Sequence, residues 1–232
     1  MLADAALAAR AKLWTRDFVL HFTSSFLVAV ALNAVVVVVP VFASQKLGAD
    51  SEDIGLLTAA FMATAVVSRP FLGFLLDRYG RRGILLASLI AFAALNMAHA
   101  AVASLGTLLL VRLLLGLPWG ATQTATITVA VDLIPEQRRG EGLAFFGLTF
   151  TLAGTVGPLA SLAVLNHTSF ETGFLASGGM ICVAAVFAIA TRQDPIRNIH
   201  ARLSLQSLLE PRVGWLAFAT MLTSTLWGAI IS

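Results

Sequence analysis

Charged residues are scarce in this sequence. Asp, Glu, Lys and Arg make up 12% of the 232 residues, whereas about 25% is usual for soluble domains. Hydrophobic residues make up 58%, and the mean hydropathy is +0.89. A water-soluble domain of this length needs more polar surface to cover its core. The composition therefore excludes that class and indicates a chain whose solvent is lipid.

Other absences exclude further classes of protein. The one cysteine, Cys182, cannot form an intrachain disulfide. The sequence has no cluster with metal-ligand spacing, no phosphate-binding glycine loop and no Ser/His/Asp arrangement, so we expect neither an enzyme nor a bound metal or cofactor. A formal net charge of +3 fits the basic cytoplasmic loops of a membrane protein, and no nucleic-acid partner is expected. Acidic residues are missing from the middle of every predicted membrane span.

Long apolar runs are abundant. A helix needs about 20 apolar residues to cross the hydrocarbon core of a membrane. Six runs before residue 192 meet this length, at roughly 18–41, 54–76, 83–103, 107–130, 142–165 and 173–191, and a seventh covers 213–232. The β-branched stretch AVVVVVP at 34–40 is also predicted as helix, because lipid offers no partner for the backbone of an open strand. The sequence thus predicts an all-α integral membrane protein.

The positions of Lys and Arg predict the orientation, because cytoplasmic loops of membrane proteins are enriched in both. Basic residues cluster before the first run and in every second connection after it, whereas the opposite connections hold only Lys46. We therefore expect a multi-pass protein of the cell (inner or plasma) membrane with a cytoplasmic N-terminus. The predicted organisation is a cytoplasmic N-terminus at 1–17, a six-helix transmembrane bundle at 18–191, a cytoplasmic linker at 192–212 and a seventh transmembrane helix at 213–232.

Charge is concentrated in one short stretch, GFLLDRYGRR, between the second and third runs. The enrichment of basic residues in cytoplasmic loops accounts for its arginines but not for its spacing of glycine and aspartate. That spacing resembles the G-x-L-a-D-r-x-G-r-k loop between helices 2 and 3 of the major facilitator superfamily. The resemblance implies a gating role for the residues that fill the pattern, which are Gly73, Asp77, Arg78, Gly80, Arg81 and Arg82.

Two further stretches resemble the same family. LLLVRLLLGLPWG in the fourth run is similar to its R-x-x-q-G pattern, with Arg112 and Gly116. GLTFTLAGTVGPLAS in the fifth run resembles the helix-5 signature of its antiporters, with Gly157 and Pro158 at the centre. The resemblance covers most of residues 13–232. It implies the N-terminal six-helix bundle of a drug:H+ antiporter-type exporter from bacteria, followed by the start of the second half.

Arg112 is the most informative polar residue within a predicted span. A guanidinium inside a membrane helix costs at least about 2.5–3.5 kcal/mol, so we expect it to face a cavity or a partner. On a helix it shares a face with Gly116, Trp119 and Gln123, and we interpret that face as lining the central cavity. The alternative is that Arg112 extends to the membrane interface. Asn33 is a candidate for substrate contact and equally for an interhelical hydrogen bond.

Helix 5 combines small residues with a proline. Gly154 and Gly157 favour close helix packing, and Pro158 removes a backbone hydrogen bond, so packing and gating are both open for these three residues. His21 and His99 are candidates for proton binding, with an interfacial position as the alternative.

These observations predict secondary active transport. The resemblance implies proton-coupled efflux of a small organic molecule by alternating access of two helix bundles. The expected partners are the lipid bilayer, the small-molecule substrate, protons and a second six-helix half supplied by the same gene, by a split gene or by self-pairing. The alternative function is that of a half-transporter without activity alone, which acts as an assembly or interaction partner.

Overall fold

The computed structural model describes residues 12–192, apart from the side chain of Pro70. Six α-helices follow one another in this part of the chain, and each is long and apolar enough to cross a membrane. They are α1 (Arg16–Leu47), α2 (Ser51–Tyr79), α3 (Arg81–Ala98), α4 (Leu105–Leu133), α5 (Arg139–His167) and α6 (Phe170–Ala190). The predicted linker beyond Arg192 and the predicted seventh helix lie outside the described residues.

Side-chain caps fix where four of these helices begin. Thr15, Asp50, Ser104 and Ser169 each accept a hydrogen bond from a backbone N–H in the first turn of the helix that follows. Such caps satisfy amide groups that have no partner within the helix. At the other end of α1, Gly48 adopts a φ of 70°, which is the left-handed conformation that commonly terminates a helix.

The prediction of helix for the β-branched stretch at 34–40 is confirmed. α1 runs without interruption through this stretch and through Pro40, as far as Leu47. Because the stretch lies in a candidate membrane span, its backbone groups have to pair within the helix, and this requirement outweighs the strand preference that valine shows in water.

The helices pack in the order α2, α4, α3, α6, α1, α5, and α1 also touches α4. The largest apolar core lies among α1, α2, α3, α4 and α6, and it includes Val28, Phe61, Phe92, Leu115 and Ile181. α5 packs mainly on α1. In this packing order α2 and α5 are the outermost helices, and both carry many exposed apolar side chains.

Short connections make successive helices alternate in direction. One end of the bundle therefore holds the starts of α1, α3 and α5 and the ends of α2, α4 and α6. We call it the basic end because it carries Arg16, Arg81, Arg82, Arg138 and Arg139. The opposite end, where α1 ends at Leu47, is called the far end.

Candidate functional site

The signature stretch forms an abrupt junction between α2 and α3. Gly80 is the single residue between the two helices, and its N–H donates to the Leu76 carbonyl at 3.0 Å. Gly80 has a φ of 91° and a ψ of 139°, a conformation that residues with a side chain rarely adopt. The second glycine of the motif is therefore required by the turn. At Gly73, apart from its own stretch of helix backbone and its two chain neighbours, no described atom comes within 4 Å of the position that a Cβ would occupy.

Two arginines of the junction connect it to other helices. Arg81, the first residue of α3, forms an ion pair with Asp132 near the end of α4. Arg82 donates from Nη2 to the Ile189 carbonyl oxygen at 2.7 Å, near the end of α6. Charged hydrogen bonds of this kind are stronger than neutral ones. The junction therefore joins α3, α4 and α6 at the basic end.

The other two charged residues of the junction face outward. Asp77 lies in the last turn of α2, where it is exposed, and it makes no hydrogen bond or ion pair with another residue in the 12–192 range. The Arg78 guanidinium carbon lies 5.7 Å from the Phe74 ring centroid and 5.8 Å from that of Tyr79. Asp77 and Arg78 thus form the outward part of the signature junction.

Asp132 belongs to this site as the partner of Arg81. The sequence did not predict this pair. The two residues are 51 positions apart, and only the packing of α3 on α4 brings them together. The available signal was an acidic residue at the predicted end of the fourth span, directly opposite a predicted basic loop.

Arg112 is almost completely buried, with 2% of its surface exposed. Its guanidinium carbon lies 5.1 Å from the Phe61 ring centroid, which provides a cation–π contact. Nε and Nη1 have no hydrogen-bond partner in the described part of the chain. A Cβ at Gly116, one turn along, would overlap the Phe61 carbonyl oxygen of α2. The face that carries Arg112 and Gly116 therefore packs directly against α2.

The remaining cavity candidates point to different neighbours. The Trp119 ring lies 5.5 Å from the Phe92 ring of α3, and Gln123 is partly buried. Asn33 donates to the Ala29 carbonyl oxygen at 2.8 Å within its own helix. Arg112 lies against α2, so the candidate residues are distributed over several helix interfaces. Their contact with substrate stays a prediction.

On α5, the three candidate residues occupy different surroundings. A Cβ at Gly157 would lie 2.6 Å from the Asn33 Cβ and 2.9 Å from the Val30 carbonyl oxygen, so this glycine allows α5 to approach α1 closely. Gly154 is exposed, and no described side chain or neighbouring helix comes within 4 Å of its Cβ position. Pro158 lies inside the continuous helix and cannot donate to the carbonyl one turn before it.

Within residues 12–192, no group of three or more His, Cys, Asp or Glu side chains could hold a metal ion. A cavity of about 470 Å³ lies at the far end between α1, α5 and α6, and its lining includes Lys46, Asn166, Phe170 and Glu171. None of the predicted site residues lines it.

Comparison with known proteins agrees with this geometry. Residues 22–232 match the Major Facilitator Superfamily. The chain is 25% identical over 210 residues to the quinolone resistance protein NorA of Staphylococcus aureus, covering 90% of this chain and 53% of that protein. It is 26% identical over 153 residues to the uncharacterized MFS-type transporter YhcA of Bacillus subtilis strain 168, covering 65% of this chain and 29% of that one. The chain thus spans about half the length of NorA.

Solved structures show the same fold. A peptide transporter, POT, superposes with a TM-score of 0.73 at 17% identity, covering 98% of this chain and 50% of that one. The nucleoside transporter NupG superposes with a TM-score of 0.68 at 18% identity, covering 88% of this chain and 50% of that one. The predicted all-α membrane fold is confirmed. The chain belongs to the Major Facilitator Superfamily, a family of membrane transporters and not of enzymes.

Proposed function

We propose that the chain forms one six-helix half of a secondary transporter that exports a small organic molecule in exchange for protons. The observation that carries the proposal is the junction between α2 and α3, where Gly80 turns the chain and Arg81 pairs with Asp132. The name of the relative NorA, a quinolone resistance protein, supports export of a small organic molecule. Quinolones are accordingly the first substrates to test.

The proposed mechanism is alternating access between this half and a second one. We place the basic end in the cytoplasm, because arginines are retained on that side of a membrane. Arg81 and Arg82 link α3 to α4 and α6 at the basic end of this half. Asp77 and Arg78 are exposed there and are the groups that the second half would contact when the cytoplasmic side closes.

The outermost helices provide the apolar part of the proposed contact. α2 exposes Met62, Val66 and Val67, and α5 exposes Leu148 and Leu152. Exposed apolar side chains suit either lipid or a second helix bundle. α1 and α4 touch each other, α2 packs on α4, and α5 packs on α1. We propose that the second half binds the surface that these four helices form, with α2 and α5 at its two edges.

The test is a flux measurement on the purified chain in liposomes, where a second copy of the chain supplies the other half. The quinolone should accumulate inside the liposomes when their interior is made more acidic than the medium, because protons then leave in exchange for it. A proton ionophore should abolish the accumulation. An Arg78→Gln variant should lower the flux, while Arg139→Gln is the matched control because it removes an arginine of the basic end outside the signature. Quinolone uptake that is the same with and without the proton gradient, at every ratio of protein to lipid, would overturn proton-coupled export.

A second candidate function is supported by the length comparison, in which the chain spans 53% of NorA. It is a half-transporter that is inactive alone and assembles with another six-helix bundle. Crosslinking from a cysteine introduced at Asp77 separates the two candidates. Crosslinks to a different membrane protein, together with absent flux, would support the second candidate.

A further inference from the structure

Proton exchange requires a group in the membrane span that can bind and release a proton. Within residues 12–192, the buried polar side chains include His21, His99 and Arg112 but no carboxylate. Arginine keeps its proton in proteins. The two histidines are therefore the buried groups of the described chain that can accept one.

The hydrogen bonding of His21 defines its tautomer. Nε2 lies 2.9 Å from the Thr126 carbonyl oxygen of α4. A carbonyl oxygen only accepts, so Nε2 carries the hydrogen and Nδ1 of the neutral ring carries a lone pair. Nδ1 is buried and has no partner among the described residues. His21 thus presents a free proton-accepting lone pair, although only 1% of the residue is exposed.

The position of His21 connects this lone pair to helix packing. His21 lies on the second turn of α1, bonds to Thr126 of α4, and places its ring 5.5 Å from the Phe146 ring of α5. It therefore occupies the place where three helices meet near the basic end. A change at this side chain acts on the contacts of α1 with α4 and α5.

His99 is the less suitable of the two histidines. Its Nδ1 lies 2.9 Å from the Leu95 carbonyl oxygen, so Nε2 carries the free lone pair. That hydrogen bond returns to the helix that precedes His99, whereas the His21 bond crosses from α1 to α4 and so depends on helix packing.

The charged groups around His21 lie at the basic end. Asp17 precedes it by one turn on α1 and accepts a hydrogen bond from the Arg192 backbone N–H. His21 contacts Thr126 on α4 and Phe146 on α5. The charged residue nearest to Thr126 in the sequence of α4 is Asp132, and the one nearest to Phe146 in α5 is Glu141. Asp132 pairs with Arg81 and Glu141 pairs with Arg138. Arg16, the first residue of α1, is exposed at the same end. Among the described residues, His21 therefore has three carboxylates at its end of these helices, and its cations there include Arg16 and the arginines that pair with those carboxylates.

We propose that Nδ1 of His21 is a proton-binding site of the transport cycle. A proton from water adds to the Nδ1 lone pair and gives an imidazolium with hydrogens on both ring nitrogens. The new N–H has no acceptor while α1, α4 and α5 are packed as described, and a buried donor without an acceptor is costly. Protonation therefore favours an arrangement in which α1 and α5 separate at the basic end and water or Asp17 reaches Nδ1. Loss of the proton to water restores the packed arrangement.

This inference rests on the proposed proton-coupled export, and its test is independent of flux. Nitroxide labels are attached to cysteines introduced at Val19 and Leu143, which are exposed on α1 and α5 near the basic end. The background is the full chain with Cys182→Ala, in liposomes. The distance between labels, measured by pulsed electron resonance, should lengthen by a few Å between about pH 8 and pH 5.

Two variants decide the assignment. His21→Gln retains an N–H donor for the Thr126 carbonyl but cannot bind the proton, and it should show no pH-dependent lengthening. His99→Gln is the matched control and should lengthen as the parent does. Lengthening in His21→Gln equal to that of the parent, or no lengthening in the parent, would overturn the proton site. His21-dependent lengthening without quinolone flux would instead retain the proton site and contradict the proposed export.

Discussion

Substitution of Gly116 by alanine tests the packing of α2 on α4. The added Cβ would overlap the Phe61 carbonyl oxygen and would lie 2.8 Å from the Ala65 backbone nitrogen. Both atoms belong to the backbone of α2, so they cannot rotate away as a side chain can. Overpacking of this kind costs about 1–3 kcal/mol or more, and the better helix propensity of alanine returns up to about 1 kcal/mol. Because the overlapped atoms are backbone, the upper end of that cost applies, and we expect Gly116→Ala to lower the free energy of unfolding by about 2 kcal/mol.

Gly147→Ala is the matched control within a helix. Apart from its own stretch of helix backbone and its two chain neighbours, no described atom lies within 4 Å of its Cβ position, and the residue is exposed. Only the propensity effect remains, so this variant should gain about 0.5–1 kcal/mol. Unfolding of both purified variants in mixed detergent and SDS, followed by circular dichroism, gives the two free energies. A Gly116→Ala protein as stable as the parent would refute the close approach of α2 and α4.

Two other substitutions test the turn and the buried cation. Gly80→Ala should lose about 1 kcal/mol or more in the same unfolding assay, because its φ of 91° strains a residue with a side chain, whereas Gly83→Ala, which has open space around it, should not. Arg112→Met should have the same free energy of unfolding as the parent or one higher by about 1 kcal/mol. The substitution removes a buried charge, 2% exposed, whose Nε and Nη1 have no described partner, and it loses one cation–π contact with Phe61. A loss of more than about 1 kcal/mol in Arg112→Met would show that the guanidinium has a stabilising partner.

The existence of the six membrane helices could be predicted from hydropathy, but the direction in which each helix face points could not. In water, the apolar face of a helix identifies the core, whereas in lipid both the core side and the outer side are apolar. The polar residues on the face with Arg112, Gly116 and Trp119 predict that it lines the central cavity, and that role stays a prediction. The structure packs it against α2 and α3, because Gly116 lets the backbones approach.

The α2–α3 junction is shorter than hydropathy predicts. The apolar runs end at about residue 76 and resume at about 83, which predicts a loop of several residues. The structure continues α2 through Asp77 and Arg78 and starts α3 at Arg81. Charged side chains at the end of a membrane helix extend into water while the backbone stays helical. The hydropathy of a run therefore marks the membrane boundary and not the end of the helix.

The most direct test of the central claim exchanges the charges of the ion pair at the signature junction. Quinolone flux into liposomes is measured for Arg81→Asp, for Asp132→Arg and for the double variant. Because the two side chains pair across α3 and α4, each single variant leaves two like charges together and should lose most of the flux. The double variant restores opposite charges and should recover it. Flux in all three variants equal to that of the parent would contradict a gate at this junction.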